Sequence, residues 1–326
     1  MTAVTTTNTA QIAVEYFSDD VINSFIASRH GAANSQRTYR NAVKRMIQFF
    51  ALKDCAAPTT SDFDAFINTL RGENKSDSTI RLYNTVGKMF FRYLEKHGVY
   101  RNVTADSEPL RLKKKIAHKK DALSKAQAQK LLAEVVGEDI ISLRDKAIIA
   151  LCLTCGLRTV EVERANVEDL TDCGNYFTLE VMGKGSTQKD ATVKVAPRTA
   201  QLIQKYLAAR GNVVTDKLFS SEAQTPLFTS DSNNSSKGKR LSSQSVGKMI
   251  KARLKKSGIN SKKITAHSTR HFAATCAIMA GVDIREVSAM LRHSSINVTM
   301  TYLHDISLQS RRAELTVADN LFGCVA

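Results

Sequence analysis

The sequence lacks the features of a membrane protein, of a secreted protein and of a metal-binding protein. No run approaches the ~18 apolar residues that a membrane-spanning helix needs, so we expect no membrane partner. There is no apolar leader, and six cysteines in 326 residues favour a reducing cytoplasm over secretion. The spacing of Cys152 and Cys155 also occurs in zinc and redox pairs, but these two fall in an apolar helical pattern with no second pair nearby. We interpret both as core residues, and we predict no metal and no cofactor.

Acidic residues are scarce, both overall and locally. Lys and Arg number 47 against 31 Asp and Glu, which gives a formal net charge of +16. Residues 232–263 contain ten Lys or Arg and no Asp or Glu, whereas an ordinary solvated face mixes both signs. An excess of this size and clustering indicates a polyanionic partner, most often nucleic acid.

The first third of the chain carries helical periodicity with a basic outer side. Apolar residues recur at helical spacing through residues 21–50, again after Pro58, and through residues 76–96. The pattern predicts a bundle of about four helices over residues 16–104, after a polar N-terminus 1–15 that we expect to be flexible. Its outward Lys and Arg residues are predicted DNA contacts: Arg37, Arg40, Lys44, Arg45, Arg81, Lys88 and Arg92.

A polar, lysine-rich stretch over residues 105–121 follows the bundle. Pro109 and the weak apolar periodicity predict a linker. Lys113 and Lys114 would suit a linker that runs along a DNA backbone, although a purely solubilising linker explains the same composition.

Residues 122–326 predict a second, mostly α-helical domain. Apolar and polar residues alternate over residues 176–182 and 191–195, which predicts two β-strands joined as a hairpin. A further helix is predicted over residues 308–321, as a tail. Three basic residues opposite the apolar face of another helix are further predicted DNA contacts: Lys248, Lys251 and Arg253.

Among the forty residues 265–304, two histidines, one arginine and one tyrosine stand out as candidates for a shared site. His267 and Arg270 share one face of a predicted helix. A glycine and a capping box then turn the chain into a second helix, which ends near His293, and Tyr302 follows nine residues later. We expect the four groups to line one cleft, and a tyrosine beside basic donors suggests phosphoryl chemistry.

Two other positions offer charges that complete this cleft. In Gly156-Leu157-Arg158 the glycine breaks one helix and leaves Arg158 at a junction, where Glu161 can orient the guanidinium or cap the next helix. Lys184 lies between two glycines at the tip of the predicted hairpin.

This set of groups is chemically coherent for a phosphodiester. Two arginines can hold the non-bridging oxygens as negative charge develops on them, and a lysine can protonate the leaving 5′ oxygen. A tyrosine phenol, with a pKa of about 10, attacks better when positive charge stabilises the phenolate. The arginines take the place of a metal ion.

In this order and spacing the motifs resemble the tyrosine recombinase family of phage integrases and Xer-like site-specific recombinases. The resemblance is dense over residues 123–304, whereas the N-terminal half matches only in helical organisation. The motifs that carry it are Gly156-Leu157-Arg158 with Glu161, the loop with Lys184, His267-x-x-Arg270-His271, Leu291-x-His293-Ser294-Ser295 and Tyr302.

The resemblance implies a mainly α fold, with an N-terminal helical core-binding domain and a C-terminal, mostly α catalytic domain that holds a small antiparallel β-sheet. It implies a site-specific recombinase or integrase that works through a 3′-phosphotyrosyl intermediate and a Holliday junction. The partner would be double-stranded DNA at recombination sites, bound by a homotetramer whose C-terminal tails are exchanged between protomers.

The resemblance also implies a role for each residue. Tyr302 would be the nucleophile, Arg158 and Arg270 would clamp the scissile phosphate, and Lys184 would protonate the 5′ oxygen. His267 and His293 would bind the phosphate or assist proton transfer.

Several alternatives stay open on the sequence. Lys189 lies in the same loop as Lys184 and is its rival, although the motif favours Lys184. Arg292 stands where the family usually has glycine, and it can change the local packing or add a phosphate contact. The same motifs would also suit a type IB topoisomerase-like enzyme or resolvase, and the fold alone would suit an architectural DNA-binding protein.

Overall fold

The structure, a computed structural model, describes residues 16–29, 31, 33–55, 57–112, 122–183, 185–211, 225–231, 237–303, 317–318 and 321. The chain divides into two compact units, Met1–Lys115 and Ile116–Ala326. Several predictions fall outside the described residues: the N-terminus 1–15, Lys113, Lys114, Lys184 and most of the tail helix.

The described part of the first unit contains four α-helices, as the periodicity predicts. Each of three helices begins where a hydroxyl accepts a backbone N–H that has no partner within the helix: Ser18, Thr59 and Ser76 serve α1, α3 and α4. The helices are α1 Asp19–Ala27, α2 Ala33–Leu52, α3 Thr60–Gly72 and α4 Asp77–Lys96.

Aromatic side chains dominate the core of this unit. Phe25, Phe63, Phe90 and Phe91 are completely buried, and Phe63 packs so closely on α4 that a Cβ at Gly87 would lie 2.5 Å from its ring. Two residues of the predicted linker, Leu110 and Leu112, also pack against this core. The chain up to residue 112 is therefore part of the first unit's packing.

The second unit is built around one buried helix, α6. Its residues are apolar on nearly every side, and it packs against α8 and α10. Cys152 and Cys155 lie in this core, where burial raises the pKa of Cys152 to about 12. The helices of the unit are α5 Lys125–Ala133, α6 Ile140–Thr154, α7 Thr159–Arg164, α8 Pro197–Ala209, α9 Ser243–Lys256, α10 Ala266–Met279, α11 Ile284–Leu291 and α12 Ile296–Leu303.

A small antiparallel sheet, in the order β1-β2-β3, completes the second unit. Strands β2 (Phe177–Val181) and β3 (Ala191–Val195) form the predicted hairpin. Strand β1 (Leu170–Asp172) was not predicted, because three residues are too few to show an alternating pattern. The mainly α fold with a small antiparallel sheet is confirmed.

Candidate active site

Glu161 is the carboxylate at which the arginines of the site meet. It lies on the first turn of α7 and is completely buried. Its Oε2 accepts the backbone N–H of Arg158 at 2.7 Å, and its Oε1 accepts Nη1 of the same residue at 2.8 Å. One side chain therefore both caps α7 and orients the Arg158 guanidinium, the two contacts that the sequence suggests for it.

Arg270 reaches the same carboxylate from α10. Its guanidinium donates to the carbonyls of Gly156, at 2.5 Å, and Leu291, and its Nη1 lies 3.9 Å from Glu161 Oε2. Gly156 has φ of +59°, and a Cβ there would lie 2.6 Å from Leu291, so only glycine fits this junction. Burial and the charge of Arg158 lower the pKa of Arg270 to about 10, and the side chain stays protonated at neutral pH.

Arg292 is a third arginine at Glu161, and the sequence did not place it there. It ends α11 in the left-handed region, with φ of +54°, and its Nη2 donates to Glu161 Oε2 at 2.7 Å. Although burial raises the pKa of Glu161, hydrogen bonds and charge from Arg292 and Arg158 outweigh that effect and hold it below its usual range. The carboxylate is therefore ionised at neutral pH.

Two imidazoles enclose the ring of Tyr302. The His293 ring stacks with it at 6.0 Å between centroids, and the His271 ring meets it edge-on at 4.5 Å. His293 Nδ1 shares a hydrogen bond of 2.8 Å with Oγ1 of Thr299, which is completely buried. Because Tyr302 is only 2% exposed, a DNA phosphate can reach the phenol only after its surroundings shift.

His293 is neutral at physiological pH. Burial, followed by the charges of Arg270, Arg158, Arg292 and His267, lowers its pKa to about 4. A neutral imidazole keeps one nitrogen lone pair that can accept a proton or hydrogen bond. His267 is exposed on the first turn of α10, so it is the more accessible of the two predicted histidines.

The structure therefore brings together all of the predicted site residues that it describes: Arg158, Glu161, His267, Arg270, His293 and Tyr302. Sequence reasoning missed the contacts of Arg292, His271 and Thr299. His271 belongs to a matched motif and Arg292 lies within another, which was the available signal, whereas nothing in the sequence singles out Thr299.

Lys184 lies outside the described residues, but three hydrogen bonds hold the base of its loop. Arg164 donates to the carbonyls of Gly183, at 2.6 Å, and Ser186, and the Gly183 N–H donates to Asp190 at 3.0 Å. Lys189, the rival to Lys184, is engaged elsewhere: its ammonium pairs with Asp169 and donates to the Arg164 carbonyl at 3.0 Å.

The basic residues predicted as DNA contacts in the first unit lie on its surface. Arg40 donates to Asn23, and Lys44 and Arg45 form ion pairs with acidic neighbours. Exposed pairs of this kind are weak, so a phosphate can replace the acidic partner. The other four are exposed or half-buried: Arg37, Arg81, Lys88 and Arg92.

Two of the three basic residues predicted as DNA contacts on α9 turn inward. Arg253 pairs with Asp145 at 2.8 Å and with Glu134 at 3.7 Å, and the Lys251 ammonium donates to two backbone carbonyls of the loop before α10. The sequence pattern misassigned them because the polar side of α9 also packs against neighbouring elements. Lys248 is exposed.

Within the described part of the chain, no group of three or more His, Cys, Asp or Glu side chains is placed to hold a metal ion. The described helices are also all too short or too polar to cross a membrane.

Comparison with known proteins gives matches along both units. The Phage integrase family model matches residues 121–307, and the Phage integrase, N-terminal SAM-like domain model matches residues 20–99. Tyrosine recombinase XerD of Bifidobacterium longum is 30% identical over 290 residues, which cover 86% of this chain and 89% of that protein. Tyrosine recombinase XerD of Oceanobacillus iheyensis is 27% identical over 297 residues, which cover 89% and 94%.

Solved recombinases share the fold. The XerH site-specific recombinase, in a post-cleavage complex with a palindromic difH substrate, superposes with a TM-score of 0.71 at 17% identity, over 95% of this chain and 96% of that one. A lambda integrase dimer bound to a COC′ core site gives a TM-score of 0.63 at 15% identity, over 88% and 93%. With the family model matching more than half of its length, the chain belongs to the phage integrase family and is a tyrosine recombinase, an enzyme that cleaves and rejoins DNA strands.

Proposed function

We propose that Tyr302 is the nucleophile with which this recombinase opens DNA at specific sites. The observation that carries the proposal is that Arg158 and Arg270 meet at the buried Glu161, while their charges act on His293, whose ring stacks on that of Tyr302. Tyr302 Oη bonds to the scissile phosphorus and the bond to the 5′ oxygen breaks. The products are a 3′-phosphotyrosyl link and a free 5′ hydroxyl, which later attacks that link to rejoin a strand.

Each neighbouring group has one task in this step. Arg158 and Arg270 hold the non-bridging oxygens while charge builds up on them. Neutral His293 takes the phenol proton, a task open to it because its pKa of about 4 leaves it unprotonated. The exposed His267 donates to the phosphate.

Lys184 protonates the leaving 5′ oxygen. The contacts of Lys189 support this assignment, because its ammonium pairs with Asp169 and donates to a backbone carbonyl. Arg164 also donates to the carbonyls of Gly183 and Ser186, one on each side of residue 184, and so fixes the base of the loop.

The whole protein acts as a homotetramer on double-stranded DNA in the cytoplasm, exchanges strands through a Holliday junction, and passes its C-terminal tail between protomers. We propose residues 16–104 as the core-binding domain, 105–121 as a basic linker and 122–326 as the catalytic domain. The basic side chains on the surface of the first unit, five exposed and two half-buried, support DNA binding: Arg37, Lys44, Arg45, Arg81 and Arg92, with Arg40 and Lys88.

The test is covalent trapping on DNA that the protein itself selects. Sequences bound from random duplexes are recovered, and a duplex nicked next to the cleavage position lets the cut fragment escape and leaves the protein attached. We expect a covalent adduct with the native protein and none with Tyr302→Phe, whose ring keeps the packing but has no nucleophile. An equal yield from the Phe variant would exclude Tyr302.

A second assay separates strand exchange from simple nicking and resealing. Relaxation of a supercoiled plasmid without the selected site would favour a topoisomerase-like activity, whereas recombinant products from two selected sites support the recombinase.

A further inference from the structure

Arg292 occupies a backbone position that suits glycine. Its φ of +54° and ψ of +49° are left-handed, a region that L residues with a Cβ disfavour. The family's usual glycine at this place has that physical reason. An arginine here therefore adopts a conformation that glycine adopts more easily, and the contacts of its side chain offset that cost.

The Arg292 side chain turns back into the site. Its Nη2 lies 2.7 Å and its Nε 3.4 Å from the two oxygens of Glu161, and it also donates to the carbonyls of Met290 and Gly156. The side chain is only 10% exposed. It is therefore fixed by four contacts, three of them to residues far away in the sequence.

Because Arg292 is fixed in this way, three guanidiniums share the single carboxylate of Glu161. Glu161 binds Arg158, Arg292 and, at 3.9 Å, Arg270. Without Arg292, its full charge would fall on the two arginines that serve the phosphate. Unlike Nη1 and Nη2, which donate to backbone carbonyls, the buried Arg270 Nε has no hydrogen-bond partner among the described residues.

We propose that Arg292 is a positioning residue of this recombinase, which holds Glu161 and so leaves Arg158 and Arg270 to the scissile phosphate. The inference rests on the proposed roles of those two arginines. The net charge of the cluster is +2 with Arg292, counting three guanidiniums and one carboxylate, and would be +1 with the family's usual glycine.

The test measures the single-turnover rate of adduct formation at saturating nicked duplex of the selected sequence. Arg292→Gly relieves the backbone and removes the guanidinium, and we expect it to slow cleavage about tenfold or more, as small displacements of catalytic groups do. Arg292→Lys keeps the charge without the paired contacts and should recover part of the rate. It also keeps the proposal testable if the glycine variant does not fold.

The matched control is Arg285→Ala on the same helix. Arg285 is 83% exposed, so this variant removes one positive charge without touching Glu161. We expect the DNA affinity of Arg292→Gly to match that of the control, with the rate alone reduced. If Arg292→Gly cleaves as fast as the control at saturating DNA, or if only its affinity falls, the proposal is wrong.

A double-mutant cycle tests whether Arg292 affects the cleavage rate through Glu161. If Arg292 acts through Glu161, then Arg292→Gly should have little further effect in a Glu161→Gln background. Full additivity of the two rate losses would show that Arg292 acts directly on DNA and would overturn the proposal.

The pH profile gives a readout that simple packing would not move. The groups that face His293 are Arg158, Arg270, Arg292, His267 and the Tyr302 ring. Loss of the Arg292 cation raises the pKa of His293, so His293 becomes protonated at higher pH. The acidic limb of the rate profile should therefore shift to higher pH in Arg292→Gly and keep its position in Arg292→Lys. An unmoved limb in the glycine variant contradicts the proposal, whereas an adduct with Tyr302→Phe would overturn the proposed nucleophile as well.

Discussion

The Thr299 hydroxyl is the contact that fixes the ring of His293. It is completely buried, and its Oγ1 lies 2.8 Å from His293 Nδ1. A histidine that exchanges protons must present the correct nitrogen, and the partner of the other nitrogen decides which one that is. Because a hydroxyl can donate or accept, Thr299 sets the orientation of the His293 ring and suits either tautomer.

We expect Thr299→Val to slow covalent adduct formation by roughly tenfold, because a general acid–base group is worth about 10²–10⁴-fold and only its orientation is lost. Valine keeps the shape of threonine but has no hydroxyl. The lost hydrogen bond should also lower the free energy of unfolding by about 1 kcal/mol. Single-turnover trapping and urea denaturation measure the two effects.

The matched control is Thr299→Ser, which keeps the hydroxyl and loses only a methyl group. It should recover most of the cleavage rate. If serine and valine are equally slow, the Thr299 hydroxyl does not act on His293.

Single residues also show how far the sequence reaches into the site. Glu161 could be predicted as the partner of Arg158 because the two lie one helical turn apart, where side chains meet without help from the rest of the fold. Arg292 meets Glu161 across 131 positions, and the contact depends on a left-handed backbone at the end of α11. Local spacing carries no information about such a pairing.

Among the secondary elements, the β2–β3 hairpin carries Lys184 and Lys189, the two candidates for the general acid. Arg164 and Asp190 hold the chain at Gly183, immediately before Lys184, whereas Lys189 is bound to the nearly buried Asp169. One lysine is thus used to fasten the loop. This supports the proposal that Lys184 protonates the leaving oxygen.

We expect Lys184→Met to block cleavage of ordinary DNA and to recover on a duplex with sulfur in place of the 5′ bridging oxygen. A thiolate leaves without a proton, so the substitution removes the need for a general acid. Rates of adduct formation on the oxygen and sulfur substrates measure the effect.

Lys189→Met is the matched control. It should lower the free energy of unfolding by about 1–3 kcal/mol, because Asp169 loses its cation, and its rate defect should be the same on both substrates. Sulfur rescue of Lys189→Met in place of Lys184→Met would reverse the assignment of the two lysines.

The helices show where apolar periodicity is sufficient to predict the buried and exposed faces, and where it is not. In α1 to α4 one face is buried and the other is in solvent, so a single apolar stripe predicts both sides. In α9 the stripe predicts the buried face, but Arg253 on the polar side pairs with Asp145 of α6. An ion pair inside a unit and a phosphate contact require the same side chain, and only the fold distinguishes them.

At the scale of the whole molecule, the net charge of +16 is a sum over basic side chains that have different tasks. Arg158, Arg270 and Arg292 share a buried carboxylate, and Lys251, Arg253 and Lys189 bind groups within the second unit. The exposed residues, such as Arg37, Arg81, Arg92 and Lys248, remain for the DNA backbone. The number of phosphates neutralised should therefore be well below the 47 Lys and Arg residues of the chain.

The salt dependence of DNA binding measures that number. Each phosphate contact releases a counterion, and a protein with about 6–10 contacts loses about 10³–10⁵ in affinity between roughly 50 and 200 mM salt. We expect a steep, linear fall of log affinity with log salt concentration, and a slope smaller by about 1 in Arg92→Ala. Arg253→Ala should leave the slope unchanged and lower the thermal stability, because its partners are Asp145 and Glu134. A flat salt response of the native protein would contradict phosphate binding altogether, and a reduced slope in Arg253→Ala would show that this arginine leaves its internal pair to meet DNA.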